Sequence, residues 1–248
     1  MAFFVVVVVA APLFARRREH LDMEIRASRL FRQYVSPDVA AAMLADPRQT
    51  ALGGTIFDVT VLFADLRGFT SYTELGSPAE VVAMLNRYFG AVVPLILEQG
   101  GTVDKFVGDA MMAVWGAPSR QPDHAVRGAR TALAMQAAVN RVAEKNPDFP
   151  RFRIGLNSGP ALVGNIGSDQ IRNFTAIGDT VNVAARLQET AQPGEVVIGP
   201  GTRQAIRHQA VLRPLGPVRV RGKVDPVEAY VLNGLDEQSL WSRDHVQS

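Results

Sequence analysis

The chain has 248 residues, 47% of them hydrophobic, enough to bury a sizeable core in one large or two small domains. Its 26 basic and 24 acidic residues leave a formal charge of +2, too near neutral to argue for a nucleic-acid partner. The absence of cysteine excludes disulfides and thiolate chemistry and fits a reducing cytoplasm.

Ala2 to Ala15 is apolar apart from Pro12, and Arg16-Arg17-Arg18 follows at once. As a helix this stretch spans about 21 Å, short of the ~30 Å hydrocarbon core of a bilayer. The positive charge comes after the apolar run, the reverse of a secretory signal, and suits an anchor whose C-terminal side is cytoplasmic. Residues 1–15 therefore read as a short or truncated membrane anchor. An arbitrary start point, a cleaved signal and a peripheral helix stay open.

From Glu19 to Gln33 charged and apolar residues alternate with Leu21, Ile25 and Leu30 on one side, as in a helical stalk. Tyr34 to Asp38 breaks it, and Ser36-Pro37 resembles a cap and first turn for a short helix through Leu44. Asp46 to Gly54 reads as a loop and Thr55 to Ala64 as a strand. Ser77-Pro78-Ala79-Glu80 is a capping box with proline at the first helical position. Val81, Leu85, Phe89, Val92 and Ile96 then recur at helical spacing until Gly100-Gly101. Lys105 to Trp115 reads as strand, tight turn, strand. A helix is predicted over Pro122 to Lys145, with Ala125, Ala129, Ala132 and Val139 on one face.

Phe152 to Asn157 reads as a strand, Ser158-Gly159-Pro160 as a turn, and Ala161 to Gly164 as the start of another strand. Asn173 to Ile177 reads as a strand too. Gly178-Asp179 opens a helix through Thr190, with Asp179 read as its cap, and Glu195 to Ile198 is a strand. The rest alternates short strands and turns to Leu232, with Asn233 onward loosely ordered. Helices separated by strands and hairpins predict an α+β domain.

The chemistry concentrates in three places. Asp65 and Asp109 each sit at a turn where an apolar strand ends, so neighbouring strands could bring both carboxylates to one point. Paired carboxylates suit hard divalent cations, and Mg²⁺ takes one or two of them together with substrate phosphates. Backbone N–H groups in the turn Asp65-Leu66-Arg67-Gly68-Phe69-Thr70 could cradle phosphate oxygens, although the same turn also reads as a plain strand ending. Lys105, four residues before Asp109, shares its face of an extended strand, or is a surface lysine. Asn182 and Arg186, four apart on one helix, present an amide and a guanidinium suited to an anionic, polar ligand such as a ribose triphosphate. His124 and His208 show no ligand spacing, and no zinc site or nucleophilic triad is supported. Met111, Met112 and Trp115 read as core or interface packing.

Three segments carry a family resemblance: Phe63 to Thr70, Asp104-Lys105-Phe106-Val107-Gly108-Asp109, and Gly178 to Arg186. In order and spacing they resemble the class III nucleotidyl cyclase catalytic domain over about Gly53 to Tyr230. Tyr34-Val35-Ser36-Pro37 resembles the segment found just before it. The resemblance implies a ferredoxin-like βαββαβ core with an added C-terminal α/β portion. It divides the chain into the apolar segment 1–15, a helical stalk and linker 16–52, a catalytic domain 53–233 and a flexible tail 234–248.

It also implies residue roles. Asp65, Asp109 and the Leu66 carbonyl would bind two divalent cations, Mg²⁺ or Mn²⁺. Gly68, Phe69 and Thr70 would lie under the phosphates, and Lys223 resembles a late phosphate-binding lysine. Asn182 would orient the ribose, and Arg186 would stabilise charge on the transferring phosphoryl group. Lys105 and Thr175 occupy the two purine-selecting positions. Lysine there is adenylyl-type, donating to adenine N1, while the Thr175 hydroxyl can accept from the exocyclic amine. Many relatives carry aspartate at the Thr175 position; threonine marks a subgroup with some bicarbonate-responsive members. The implied enzyme is an adenylate cyclase acting on ATP as a homodimer with shared sites, its cytoplasmic catalytic domain tethered to the membrane by the N-terminal segment. The rival readings are a catalytically silent nucleotide-binding regulatory module and a guanylate cyclase. A polymerase-like or cyclic-dinucleotide synthase shares paired carboxylates, but Asn182 and Arg186 on one helix face speak against it.

Overall fold

The computed structural model describes residues 36–46, 51–220 and 225–236, together with Met23 and Ile25. The apolar segment, Lys223 and residues 237–248 lie outside the described residues. So does the stalk apart from Met23 and Ile25, which are helical and exposed.

The elements run α1 (Pro37–Ala45), β1 (Gly53–Arg67), α2 (Phe69–Leu75), α3 (Pro78–Glu98), β2 (Thr102–Val107), β3 (Ala110–Trp115), α4 (His124–Glu144), β4 (Arg151–Gly167), β5 (Arg172–Ile177), α5 (Asp179–Thr190), β6 (Val196–Ile198), α6 (Pro200–Ile206), β7 (Ala210–Val218) and β8 (Val227–Leu235). The sheet order is β2-β3-β1-β4-β6-β8-β7, with β5 also paired to β4. Its first four strands are each antiparallel to their neighbours, with helices linking β1 to β2 and β3 to β4. This is the predicted α+β, ferredoxin-like core, extended by the β6–α6–β7–β8 portion.

Alternation along β1 sorts the two faces of the sheet. Leu62, Ala64 and Leu66 join Met84, Tyr88, Val92 and Ile96 of α3 and the alanine face of α4 in the main core. Val59, Val61 and Phe63 face the other side, beneath Val181 and Ala184 of α5. The capping box forms in full, Ser77 Oγ accepting from Glu80 N–H while Glu80 accepts from Ser77 N–H. Helix α3 is long and apolar enough to cross a membrane, but it buries a continuous face against the sheet as a core helix does. Val92 and Ile96 are buried as expected, but in the first half of the helix the buried face falls one residue earlier, on Met84 and Tyr88, with Leu85 and Phe89 flanking them.

Four expectations are corrected. Ser158-Gly159-Pro160 is not a reversal, because β4 runs unbroken through it, paired with β1 from Arg151 to Asn165. The glycine–proline pair marks where β4 changes its outer partner, from β6 at residues 154–156 to β5 at residues 162–167. Gly159 takes a φ of 151° there, and Pro160, with no N–H to offer a ladder, accepts through its carbonyl from Thr180 Oγ1 at 2.7 Å. Second, Phe69 and Thr70 open a helix instead of continuing a turn. Third, Gly178, not Asp179, is the N-cap residue of α5, and Ser36 makes no capping bond to α1. Fourth, α6 is absent from the sequence expectation, and Asn233 to Leu235 belong to β8 instead of a loose tail.

Helix α5 lies directly on β4. A Cβ at Gly155 would sit 2.2 Å from Gln188 N and 2.4 Å from Ala184 O, so only glycine lets the backbones approach this closely. Gly155→Ala should therefore cost about 3 kcal/mol by overpacking, read as a lowered urea midpoint with an unchanged slope.

Candidate active site

Asp65 follows Val61 and Phe63 onto the α5 side of the sheet, and β4 places Arg153 directly opposite it. Arg153 donates to Asp65 Oδ2 through Nε at 3.0 Å and Nη2 at 2.5 Å, and Gln188 Nε2 of α5 donates to the same oxygen at 3.2 Å. Arg153 Nη1 also donates to the carbonyl of Glu189, tying the end of α5 to the strand. Asp109 comes from the β2–β3 turn, which Gly108 closes with a φ of 63°. Asp109 Oδ2 accepts from the Leu66 N–H at 3.2 Å. The two motif carboxylates thus meet as expected, but Asp65 lies within β1, which runs on to Arg67, and not at a turn.

Burial pushes the Asp109 carboxyl up to about 6, and the hydrogen bond and charge of Asp65 add to the rise. A carboxyl held in this way gains most from a nearby cation. The donor set is all oxygen, and among the described residues no cluster of three or more histidine, cysteine or acidic side chains adds to it. Two carboxylates with coordination left for substrate oxygens fit Mg²⁺ or Mn²⁺. The Leu66 side chain is buried, so this residue can contribute only backbone atoms.

Lys105 and Thr175 form a second cluster. Lys105 Nζ donates to Thr175 Oγ1 at 3.0 Å, joining β2 to β5. A β-bulge in β2 falls between Val103 and Lys105, making Asp104 the unpaired residue. The bulge lets consecutive side chains serve one spot. Asp104 Oδ2 accepts from Thr175 Oγ1 at 2.6 Å and from Ala176 N–H at 3.3 Å, while Oδ1 lies 3.1 Å from Lys105 Nζ as an ion pair. The Asp104 side chain is only 2% exposed.

Asn182 and Arg186 share a face of α5 as predicted, because Val183, Ala184 and Leu187 take the buried side. Asn182 is exposed. Arg186 is held by Glu189 at 2.5 and 2.6 Å, which raises its guanidinium pKa. Gly68, with a φ of 89°, is the N-cap residue of α2, and Phe69 and Thr70 form its first turn. The sequence offers no motif for Arg153 or Gln188, and Asp104 opens the second motif without a role being read for it. Cross-strand register would have found Arg153, but strand alternation hides Asp104 behind Lys105.

The model of the adenylate and guanylate cyclase catalytic domain matches residues 54–234. The chain belongs to this family. Adenylate cyclase 1 of Rhizobium meliloti is 35% identical over 184 residues, 72% of this chain and 28% of that protein. The cyclase chain spans between 28% and 37% of the length of the first curated relatives it matches. Among solved structures, the guanylyl cyclase Cya2 is similar with a TM-score of 0.70 at 34% identity, covering 75% of this chain and 96% of that one. The adenylyl cyclase CyaB from P. aeruginosa is similar with a TM-score of 0.68 at 32% identity, covering 73% and 96%.

The raised Asp109 carboxyl gives the cyclase domain a pH signature. Folding takes up protons between the ordinary carboxylate value near 4 and about 6. In chelator, this group's contribution to stability is present at low pH and is lost as pH rises through that window. Asp109→Asn should remove that component of the slope in urea titrations between pH 4 and 7.

Proposed function

We propose that this chain is an adenylate cyclase that converts ATP to 3′,5′-cyclic AMP and pyrophosphate in a homodimer with shared sites. The observation that carries this reading is the contact of Lys105 with Thr175 in a domain that also pairs Asp65 with Asp109. The two clusters are separate in one chain, and each is half of what the reaction needs. Phe106, Val107 and Ile177, exposed by 48%, 64% and 48%, flank the Lys105–Thr175 cluster with apolar surface that a second copy would cover. One protomer would then supply the carboxylates, and its partner the purine pair, asparagine and arginine.

Asp65, Asp109 and the Leu66 carbonyl would hold the two divalent cations. Bound there, these would neutralise phosphate charge and lower the pKa of the ribose 3′-hydroxyl. Lys105 donates to adenine N1 and Thr175 accepts from the exocyclic amine. Asn182 orients the ribose so that its 3′-oxygen faces the α-phosphorus, the bond that forms as pyrophosphate leaves. Arg186 meets the charge developing on that phosphoryl group, exchanging its pair with the exposed Glu189, which is worth little in water. Gly68, Phe69 and Thr70 lie beneath the phosphates, with Lys223 and Arg153 as further cations. No side chain serves as an evident general base, so positioning and electrostatics carry the rate.

In this reading residues 53–233 are the catalytic unit, and the stalk over 16–52 sets the angle between two such units. The segment 1–15 holds them at a cytoplasmic membrane face. Guanylyl cyclases are among the solved relatives, so GTP is the competing substrate. Lys105 argues for ATP, and the intact Asp65, Asp109 and Arg186 argue against a silent module.

Chromatography of products from the purified chain with Mn²⁺ and either ATP or GTP tests the proposal. Cyclic AMP from the parent and none from Asp109→Ala is expected; no cyclic product from a demonstrated dimer overturns it. Asp109→Ala and Arg186→Ala should each be inactive alone but recover about a quarter of parental activity when mixed, because half the dimers then hold one intact site.

A further inference from the structure

Hydrogen-bond capacity at the purine-selecting cluster can be counted atom by atom. A threonine hydroxyl has one proton to donate and two lone pairs, and a lysine ammonium has three protons and no lone pair. The Thr175 proton goes to Asp104 Oδ2 at 2.6 Å, and one Thr175 lone pair accepts from Lys105 Nζ. Lys105 Nζ also lies 3.1 Å from Asp104 Oδ1 as an ion pair, although that buried oxygen accepts no hydrogen bond among the described residues. What remains is donor capacity on Lys105 beside one lone pair on Thr175. Adenine presents the complement, an acceptor at N1 beside an amine. Guanine presents the reverse, an N1–H beside an oxygen.

The arrangement hinges on Asp104. Without it the Thr175 hydroxyl could rotate and donate, and a donating hydroxyl can bond guanine O6 as readily as an accepting one bonds the adenine amine. With it, rotation would strip a buried carboxylate oxygen of its shortest donor. The cavity bordering Asp104 and Thr175 measures only about 10 Å³, room for one water at most. The bulge at Asp104 makes this geometry available, since regular alternation would send Asp104 and Lys105 to opposite faces.

We infer that Asp104 is a positioning residue for purine selection: by holding the Thr175 proton it leaves that hydroxyl only a lone pair to show the base. This inference rests on the adenylate cyclase reading above and assigns that site a third specificity determinant.

The test compares kcat/KM for ATP and for GTP in the full-length parent, Asp104→Ala, Thr175→Val and the double variant. Asp104→Ala should lower the ATP-to-GTP ratio roughly tenfold, mainly through KM for ATP. The double variant should have the ratio of Thr175→Val alone, because Asp104 acts through the hydroxyl that valine lacks. Asp104→Asn, whose amide oxygen can still take the Thr175 proton, should keep most of the parental ratio. A proportional loss on both nucleotides, or effects that multiply in the double variant, would overturn the inference. Should Asp104→Ala fail to fold, Asp104→Ser, polar but too short to reach Thr175, takes its place. A parent that forms neither cyclic product would overturn the proposed activity instead. The ratio of ATP to GTP dissociation constants, measured by calorimetry on the same variants, then decides the role of Asp104 by the same criteria.

Discussion

The antiparallel pairing of β1 with β4 along the whole of β1 is the constraint on which both clusters depend. It sets Asp65 across from Arg153 at one end, and near the other end the outer edge of β4 receives β5 and with it Thr175. A slip of one residue would turn Asp65 toward the helix-side core and bring Leu66 out. The packing opposes such a slip, because Leu62, Ala64 and Leu66 are all buried against α3 and α4. Helix α5 adds a second lock by resting on Gly155, which brings Gln188 within reach of Asp65. The positions of the polar groups are thus set by apolar packing, which carries no chemistry of its own.

Charge within the domain is handled differently in each cluster. Asp104, the most buried of the carboxylates discussed, has a lysine, a hydroxyl and a backbone N–H around it. Asp65 is balanced by a bidentate arginine. Asp109 accepts the Leu66 N–H, faces Asp65 with no cationic side chain beside it among the described residues, and answers burial by holding its proton more tightly. One member of the carboxylate pair is therefore already compensated and the other is not. A divalent cation bound at this pair would meet one carboxylate already paired with arginine and one that is not.

Signals that are local in the chain were legible in the sequence. Asp65 stood out because it closes an apolar run, Asp109 because it follows an apolar run and a glycine turn, and Asn182 and Arg186 because helical spacing fixes a shared face. The capping box at Ser77 and Glu80 needs only four consecutive residues. What escaped was non-local or broke a local rule. Arg153 matters through its cross-strand partner, which no window along the chain contains. Ser158-Gly159-Pro160 has the composition of a reversal, but pairing with β1 on both sides of it keeps the strand straight enough to continue. The seven-residue helices α2 and α6 are too short for periodicity to reveal.

The bulge at Asp104 has a consequence beyond the nucleotide. Strands β2 and β7 are the two ends of the sheet path, and each offers a row of unpaired backbone groups on which another chain could polymerise. Strand β7 is blunted by Pro214, Pro217 and two register shifts. Strand β2 has no proline, and its single interruption is the bulge, which twists the edge and removes a flat template. If Lys105 contacts the base as proposed, the same backbone irregularity would serve substrate choice and guard the domain against edge-to-edge aggregation.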